Sequence, residues 1–165
     1  MNEELSYKGL QKTEIPILQK LAFEIWHTTY STIISKEQVE FMLEKMYNKE
    51  LIKEQLEEND FWYFIQYKKE NIGFVHFFPK ENKMYLSKIY LKNEFHSKGI
   101  GKNTLDFVIE NAKNLGFSKV YLRVNKQNKK AIQSYTKKGF KIIKEDILEI
   151  GNGYVMDDYI LEYCI

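Results

Sequence analysis

Cysteine is almost missing from this chain. Cys164 is the only one in 165 residues, so no disulfide can close within the chain and no thiol cluster for zinc can assemble. Long apolar runs are missing as well, since no stretch approaches the roughly 20 residues that a membrane helix needs. The opening Met1-Asn2-Glu3-Glu4 carries no basic region leading into an apolar one, which argues against export. These absences point to a reducing, cytoplasmic setting with no membrane partner. Charge of one sign is also lacking: Lys plus Arg minus Asp plus Glu is 25 − 23 = +2, with the signs interspersed. No footprint for nucleic acid follows from that distribution. No repeat, low-complexity tract or Pro/Gly/Ser-rich linker interrupts the chain, so a single domain over residues 1–165 is expected.

What is present is an apolar content of 44%, enough for one compact core, and a large share of rings, with 12 Tyr and 11 Phe. Rings at that frequency serve sheets by propensity and also line clefts.

Periodicity then gives the element order. Leu5 to Leu10 suits a short strand, and Leu18, Leu21, Ala22, Ile25 and Trp26 recur on one helical face, with Thr13 as cap and Pro16 in the first turn. Ser35 followed by Gln38 reads as a capping box for a second helix through Val39, Met42, Leu43 and Met46, and Leu51 to Leu56 adds a third. Phe61 to Tyr67 and Ile72 to Phe78 form a hairpin about Lys68-Lys69-Glu70-Asn71, ended by Pro79, and Lys83 to Leu91 continues the meander. A long helix from Gly99 to Leu115 has Gly101, Thr104, Leu105, Val108, Ala112 and Leu115 as its buried stripe and Gly116 as its stop. Val120, Leu122 and Val124 alternate as a strand, a helix runs from Asn128 to Lys138, and two strands close the chain. A strand-helix-strand step between Leu86 and Val124 implies one parallel pair in a sheet that is otherwise antiparallel. The fold class is therefore α/β: a mixed, mostly antiparallel sheet flanked by helices.

Two segments carry chemistry. His96-Ser97-Lys98-Gly99-Ile100-Gly101-Lys102 is a polar, glycine-bearing loop between a strand and a helix N-terminus, where backbone N–H groups and the helix dipole favour a diphosphate. The same loop also serves as an ordinary helix start. Thr104 stands where a dinucleotide-binding fingerprint would need its third glycine, and no phosphate-loop Gly-Lys-Ser/Thr occurs. Downstream, Asn128, Ala131 and Tyr135 fall at i, i+3 and i+7 on one helical face ahead of Gly139-Phe140. A small Ala131 lets a ligand approach, and the Tyr135 phenol can protonate a leaving thiolate; the plainer reading makes Asn128 an N-cap, Tyr135 a half-buried ring and Gly139 a C-cap.

Together the two segments resemble the GCN5-related N-acetyltransferase (GNAT) superfamily. Its Gln/Arg-x-x-Gly-x-Gly/Ala signature matches His96 to Gly101, with His96 in place of Gln or Arg, and its Asn-x-x-Ala-x-x-x-Tyr-x-x-x-Gly-Phe helix matches Asn128, Ala131, Tyr135, Gly139 and Phe140. The resemblance implies a sheet splayed between its central parallel strands and acetyl-CoA as co-substrate, with no metal. Pantetheine would pair with Ile89, Tyr90 and Leu91; the diphosphate would rest on His96, Ser97, Lys98, Gly99, Ile100, Gly101 and Lys102; Asn128 and Ala131 would line the cofactor; and Tyr135 would be the general acid. For the base, Ser87 stands near the position where relatives often have a carboxylate, and Tyr85 or Glu24 are the other candidates. An acceptor amine would meet Glu24, Trp26, His27, Tyr30, Asp157 and Asp158, carboxylates beside rings that suit a cation. Phe23-Glu24-Ile25-Trp26 and Met156-Asp157-Asp158-Tyr159 resemble the bacterial spermine/spermidine acetyltransferase branch, which implies a polyamine acceptor. A protein Nα or Lys acetyltransferase and a non-catalytic acyl-CoA-binding regulator remain alternatives, and a homodimer is open because many members of the superfamily pair.

Overall fold

Burial alternates along residues 83–88 and 119–125 as the sequence does, and the elements appear in the expected order. The computed structural model describes residues 4–165, so the first three residues of the expected single domain lie outside it. The chain divides into two compact units that exchange segments: residues 4–77 with Lys88–Thr104, and Phe78–Ser87 with Leu105–Ile165.

The first unit contains β1 (Leu5–Gly9), α1 (Ile15–Tyr30), α2 (Lys36–Tyr47), α3 (Lys49–Glu57), β2 (Phe61–Tyr67), most of β3 (Glu70–Lys80), the end of β4 (Lys83–Leu91) and the first turn of α4 (Ile100–Asn114). Its strands lie in the order β1-β2-β3-β4. β1 pairs antiparallel with β2 from Leu5↔Tyr67 to Gly9↔Tyr63, and β2 with β3 from Phe61↔Phe77 to Tyr67↔Glu70. α1 buries Ile15, Leu18, Leu21, Ala22, Ile25 and Trp26, the stripe its spacing announces. Those side chains and the rings of Phe64 and Phe74 fill the core of this unit, where full burial of one such side chain contributes about 1.5–3 kcal/mol.

Ser35 caps α2 as expected, its Oγ accepting from the Gln38 N–H at 3.1 Å. Thr13 does not cap α1. A 3-10 turn over Lys12–Glu14 leads into the helix, and the Gln11 N–H donates to Glu14 Oε1 at 3.0 Å. Pro79 does not end β3 either, because the strand runs on to Lys80. Both hairpin turns contract to two residues with positive φ, Lys68-Lys69 (49° and 66°) and Glu81-Asn82 (50° and 66°), a twist that suits strands paired tightly up to the turn.

The second unit contains the start of β4, the rest of α4, β5 (Lys119–Asn125), α5 (Lys129–Lys138), β6 (Lys141–Gly151) and β7 (Tyr154–Cys164), with strand order β4-β5-β7-β6. β4 and β5 form the expected parallel pair, through Met84↔Val120, Tyr85↔Tyr121 and Leu86↔Leu122. That ladder stops after three pairs, whereas β5 and β7 pair antiparallel over all seven residues of β5, from Lys119↔Cys164 to Asn125↔Asp158. The fold class is thus α/β with a mixed sheet. Along α4, Leu105, Val108 and Ala112 are buried, but Leu115 is 52% exposed because the helix ends at Asn114 and the chain turns at Gly116, φ 87°.

Candidate active site

In the first unit, β4 delivers Ile89, Tyr90 and Leu91 to the head of a loop that a 3-10 turn, Asn93–Phe95, tightens before α4. His96 does more than fill the loop. Its Nε2–H donates to the Leu91 carbonyl at 3.0 Å, tying the loop back to the end of β4. Ser97 (φ 60°) and Gly99 (φ 79°) adopt the left-handed conformation, which only glycine takes without cost and which turns the chain into the helix start. The first helical hydrogen bond runs from the Asn103 N–H to the Gly99 carbonyl. The N–H groups of the preceding first turn, Ile100, Gly101 and Lys102, therefore have no intrahelical acceptor, and the dipole of a 15-residue helix stands behind them. Lys98 is exposed at the rim. A Cβ at Gly99 would meet no atom within 4 Å, so the space beside the loop is open there.

The close fit lies one strand away. A Cβ on Gly73 of β3 would collide with the Tyr90 carbonyl oxygen and press on Leu91, so glycine is what lets the end of β4 lie where it does.

The acceptor candidates of α1 separate into two groups. Trp26 is 1% exposed, its indole N–H donating to the Tyr47 hydroxyl at 2.9 Å, so it serves as a wall behind Tyr30, whose ring lies 4.6 Å from it. Tyr30 and Tyr90 join their hydroxyls at 2.9 Å. Glu24, in contrast, is exposed and opens into a polar pocket of ≈ 160 Å³ shared with Ile25, Thr28, Leu91, Lys92 and Glu94. Two carboxylates and one lysine line it, an excess of negative charge beside the end of β4.

The sequence reading missed a buried charge line in this unit. Lys88 Nζ lies 3.5 Å from His76 Nδ1, and His76 Nε2 lies 2.8 Å from Asp60 Oδ2. Burial lowers Lys88 to about 8, and burial also holds His76 well below its usual range, so the imidazole is neutral. The rings of Tyr47 and Trp62 sit 5.4 and 5.3 Å from the ammonium. A lysine amid apolar residues of a strand was the available signal, but its partners lie 12 and 28 residues earlier.

In the second unit, Ser87 follows the last residue of the parallel ladder and is half-buried. Asn128 is the N-cap of α5, its Oδ1 accepting from the Ala131 N–H at 3.3 Å, and Gly139 (φ 120°) is the C-cap, so both plainer readings hold. Tyr135 is half-buried, its ring 5.9 Å from that of Phe140. Asp157 is exposed and pairs with Lys126 at 2.9 Å. Asp158 is fully buried, and its Oδ2 accepts from Arg123 Nε at 3.1 Å. Among the described residues no group of His, Cys, Asp and Glu is placed to hold a metal ion, and no helix is long and apolar enough to cross a membrane.

Comparison with known proteins places these residues in a context. Residues 21–140 match the model of the acetyltransferase (GNAT) family. The spermidine N(1)-acetyltransferase of Thermoplasma acidophilum is 28% identical over 158 residues, covering 93% of this chain and 96% of that protein. The crystal structure of the PaiA N-acetyltransferase of the same organism, in complex with coenzyme A, superposes with a TM-score of 0.82 at 29% identity over the whole of both chains. A GCN5-related N-acetyltransferase from Rhodopseudomonas palustris shares the fold at a TM-score of 0.83 with 12% identity, covering 100% of this chain and 98% of that one.

Proposed function

The chain belongs to the acetyltransferase (GNAT) family and is an acetyl-CoA-dependent N-acetyltransferase, and we propose that its acceptor is the primary amine of a small cationic molecule, a polyamine first among them. The observation that carries this reading is the pocket beside Leu91, where Glu24 and Glu94 outnumber the one cation, Lys92. A diamine or polyamine places a second ammonium several ångströms from the reacting nitrogen, and such carboxylates hold it by charge pairing. The likeness to a spermidine N(1)-acetyltransferase supports the same class.

In this reading the first-turn N–H groups of α4, with Ser97 to Gly99 ahead of them, hold the diphosphate of coenzyme A, and Lys98 and Lys102 add charge at its rim. Main-chain groups of Ile89 to Leu91 align the pantetheine arm, and Asn128 and Ala131 line it. The thioester supplies an activated acetyl carbon; the acceptor nitrogen forms the new C–N bond there while the C–S bond breaks. The acceptor ammonium gives up one proton to the enzyme before attack, Tyr135 donates its phenolic proton to the departing sulfur, and the second proton that the acylated nitrogen sheds restores the Tyr135 phenol, leaving a neutral amide and the thiol. Tyr30 borders the acceptor in this scheme, and Ser87 is the candidate for holding the water that takes the ammonium proton. We place the enzyme in the cytoplasm, where the exposed Cys164 thiol stays reduced, and propose a homodimer built on the exposed apolar side chains of β6, Ile142, Ile143, Ile147 and Leu148.

A thiol-release assay with acetyl-CoA and a panel of spermidine, spermine, a monoamine and a short peptide tests the proposal. Polyamines should react with the highest kcat/KM. Preference for the peptide would replace the polyamine reading with a protein acceptor.

A further inference from the structure

The acceptor pocket of the first unit contains its own counter-charge. Glu24 and Glu94 line it together with Lys92, so the lining sums to −2 + 1 = −1. A lysine ammonium rides on a flexible stem, and each carboxylate it pairs with is one fewer for a cationic acceptor. Lys92 forms its ion pair outside the pocket. Its Nζ lies 3.7 Å from Oε1 of Glu70, the first residue of β3.

Main-chain bonds support this choice. The Lys92 N–H donates to the Ile72 carbonyl of β3 at 2.8 Å, and the Lys92 carbonyl accepts from the Phe95 N–H at 3.0 Å, closing the 3-10 turn that carries Glu94. Lys92 is thereby pinned against β3, and its side chain is 24% exposed. Glu70 lies two residues before Ile72 and pairs with Tyr67 across the turn Lys68-Lys69. Lys68 of that turn has its own partner, Glu4 at 3.7 Å. Tyr67 adds a further contact between the hairpin end and the pocket turn, its ring 5.9 Å from that of Phe95.

We infer that Glu70 is a specificity-determining positioning residue for the acceptor: by holding the Lys92 ammonium against β3 it leaves both Glu24 and Glu94 available, and so favours an acceptor that keeps two positive charges when its reacting nitrogen is neutral. A triamine such as spermidine meets that condition, and a diamine does not. Glu70 itself makes no bond to the acceptor; its carboxylate acts through the place it gives Lys92. The pair is too exposed to matter much for folding, but moving a whole charge into or out of a pocket changes the affinity for a charged ligand. This inference rests on the proposed polyamine acceptor and extends it to a residue outside the pocket.

Steady-state kinetics of Glu70→Gln, Lys92→Gln and the double variant, with spermidine and with putrescine as acceptors, tests it. Glu70→Gln should raise KM for spermidine by about 2- to 5-fold, raise it less for putrescine, and leave kcat and the melting temperature nearly as they were. In the Lys92→Gln background the same substitution should change neither KM, because the ammonium that Glu70 restrains is gone. Equal increases in both backgrounds would mean that Glu70 attracts the acceptor directly, and no increase in either would mean that Lys92 keeps its place without Glu70; each result overturns the inference. Glu24→Gln distinguishes that failure from failure of the acceptor reading. A spermidine KM raised by Glu24→Gln but not by Glu70→Gln keeps the polyamine pocket and removes Glu70 from its control, whereas a spermidine KM indifferent to Glu24→Gln removes the pocket, and the inference falls with it.

Discussion

Lys88 reaches Asp60 through His76: its Nζ stands 3.5 Å from the Nδ1 of a neutral imidazole whose Nε2–H donates to the Asp60 carboxylate at 2.8 Å. The tautomer follows from the chemistry, since an ammonium can only donate and a carboxylate can only accept. A charge of each sign is thus stored under the sheet, relayed by one ring that stacks on Trp62 at 4.1 Å.

This arrangement makes stability depend on pH with a definite sign. Folding lowers Lys88 from 10.5 to about 8, so the unfolded chain binds the extra proton between those values and stability rises with pH through that window. The full difference corresponds to roughly 3 kcal/mol for a group this deeply buried. His76 works on the acid side: its value is depressed from 6.5, so its contribution is complete above that pH and is lost as pH falls below it. Urea unfolding at pH 7, 8, 9 and 10 should show the rise for wild type and a flat profile for Lys88→Met. An equal rise in both proteins would assign it to another group.

Gly73→Ala tests how tightly β3 supports the end of β4. The new Cβ would strike the Tyr90 carbonyl, and overpacking of this kind costs about 1–3 kcal/mol. The melting temperature should drop, and coenzyme A affinity should fall with it because the main chain of Tyr90 and Leu91 must move. Unchanged affinity would separate this strand from the cofactor.

Tyr135→Phe should lower kcat by 10-fold or more and leave coenzyme A binding, measured by calorimetry, nearly as it was. The ring keeps its packing at 5.9 Å from Phe140, so loss of fold is not expected. A turnover equal to wild type would take the acid role away from Tyr135.

Glu24→Gln should raise KM for spermidine several-fold with little change in kcat, and raise it less for a monoamine, because Glu24 lines the pocket proposed to hold the distal ammonium. The effect should shrink at high salt. Equal KM changes for both acceptors would argue against a charge-paired acceptor.

The fold was largely legible because local signals dominate it. The α1 stripe from Leu18 to Trp26, the Ser35 cap and the alternation of Val120, Leu122 and Val124 are short-range patterns that burial simply obeys. The errors were local too. Lys12–Glu14 form a 3-10 turn, capped by Gln11, that Thr13 could not announce, and Pro79 sits inside a strand that runs on to Lys80. Leu115 fits the periodicity of α4 but falls beyond its end, where nothing covers it.

Within the candidate site, the contiguous parts can be read from the chain: the glycine loop ahead of α4, with His96 and Gly99, and the capped helix of Asn128, Ala131 and Tyr135. Each needs only neighbouring residues and helix geometry, so spacing suffices to find it. Tertiary structure alone decided which charges are spent and which are spare. Trp26 became core, Asp157 took Lys126, and Asp158 was buried against Arg123, 35 residues earlier, with one oxygen left over. The Lys88 line likewise joins positions 12 and 28 residues apart. Strand pairing brings such residues together, and desolvation, which depends on everything packed around a group, sets their protonation; neither is encoded at any one position of the chain.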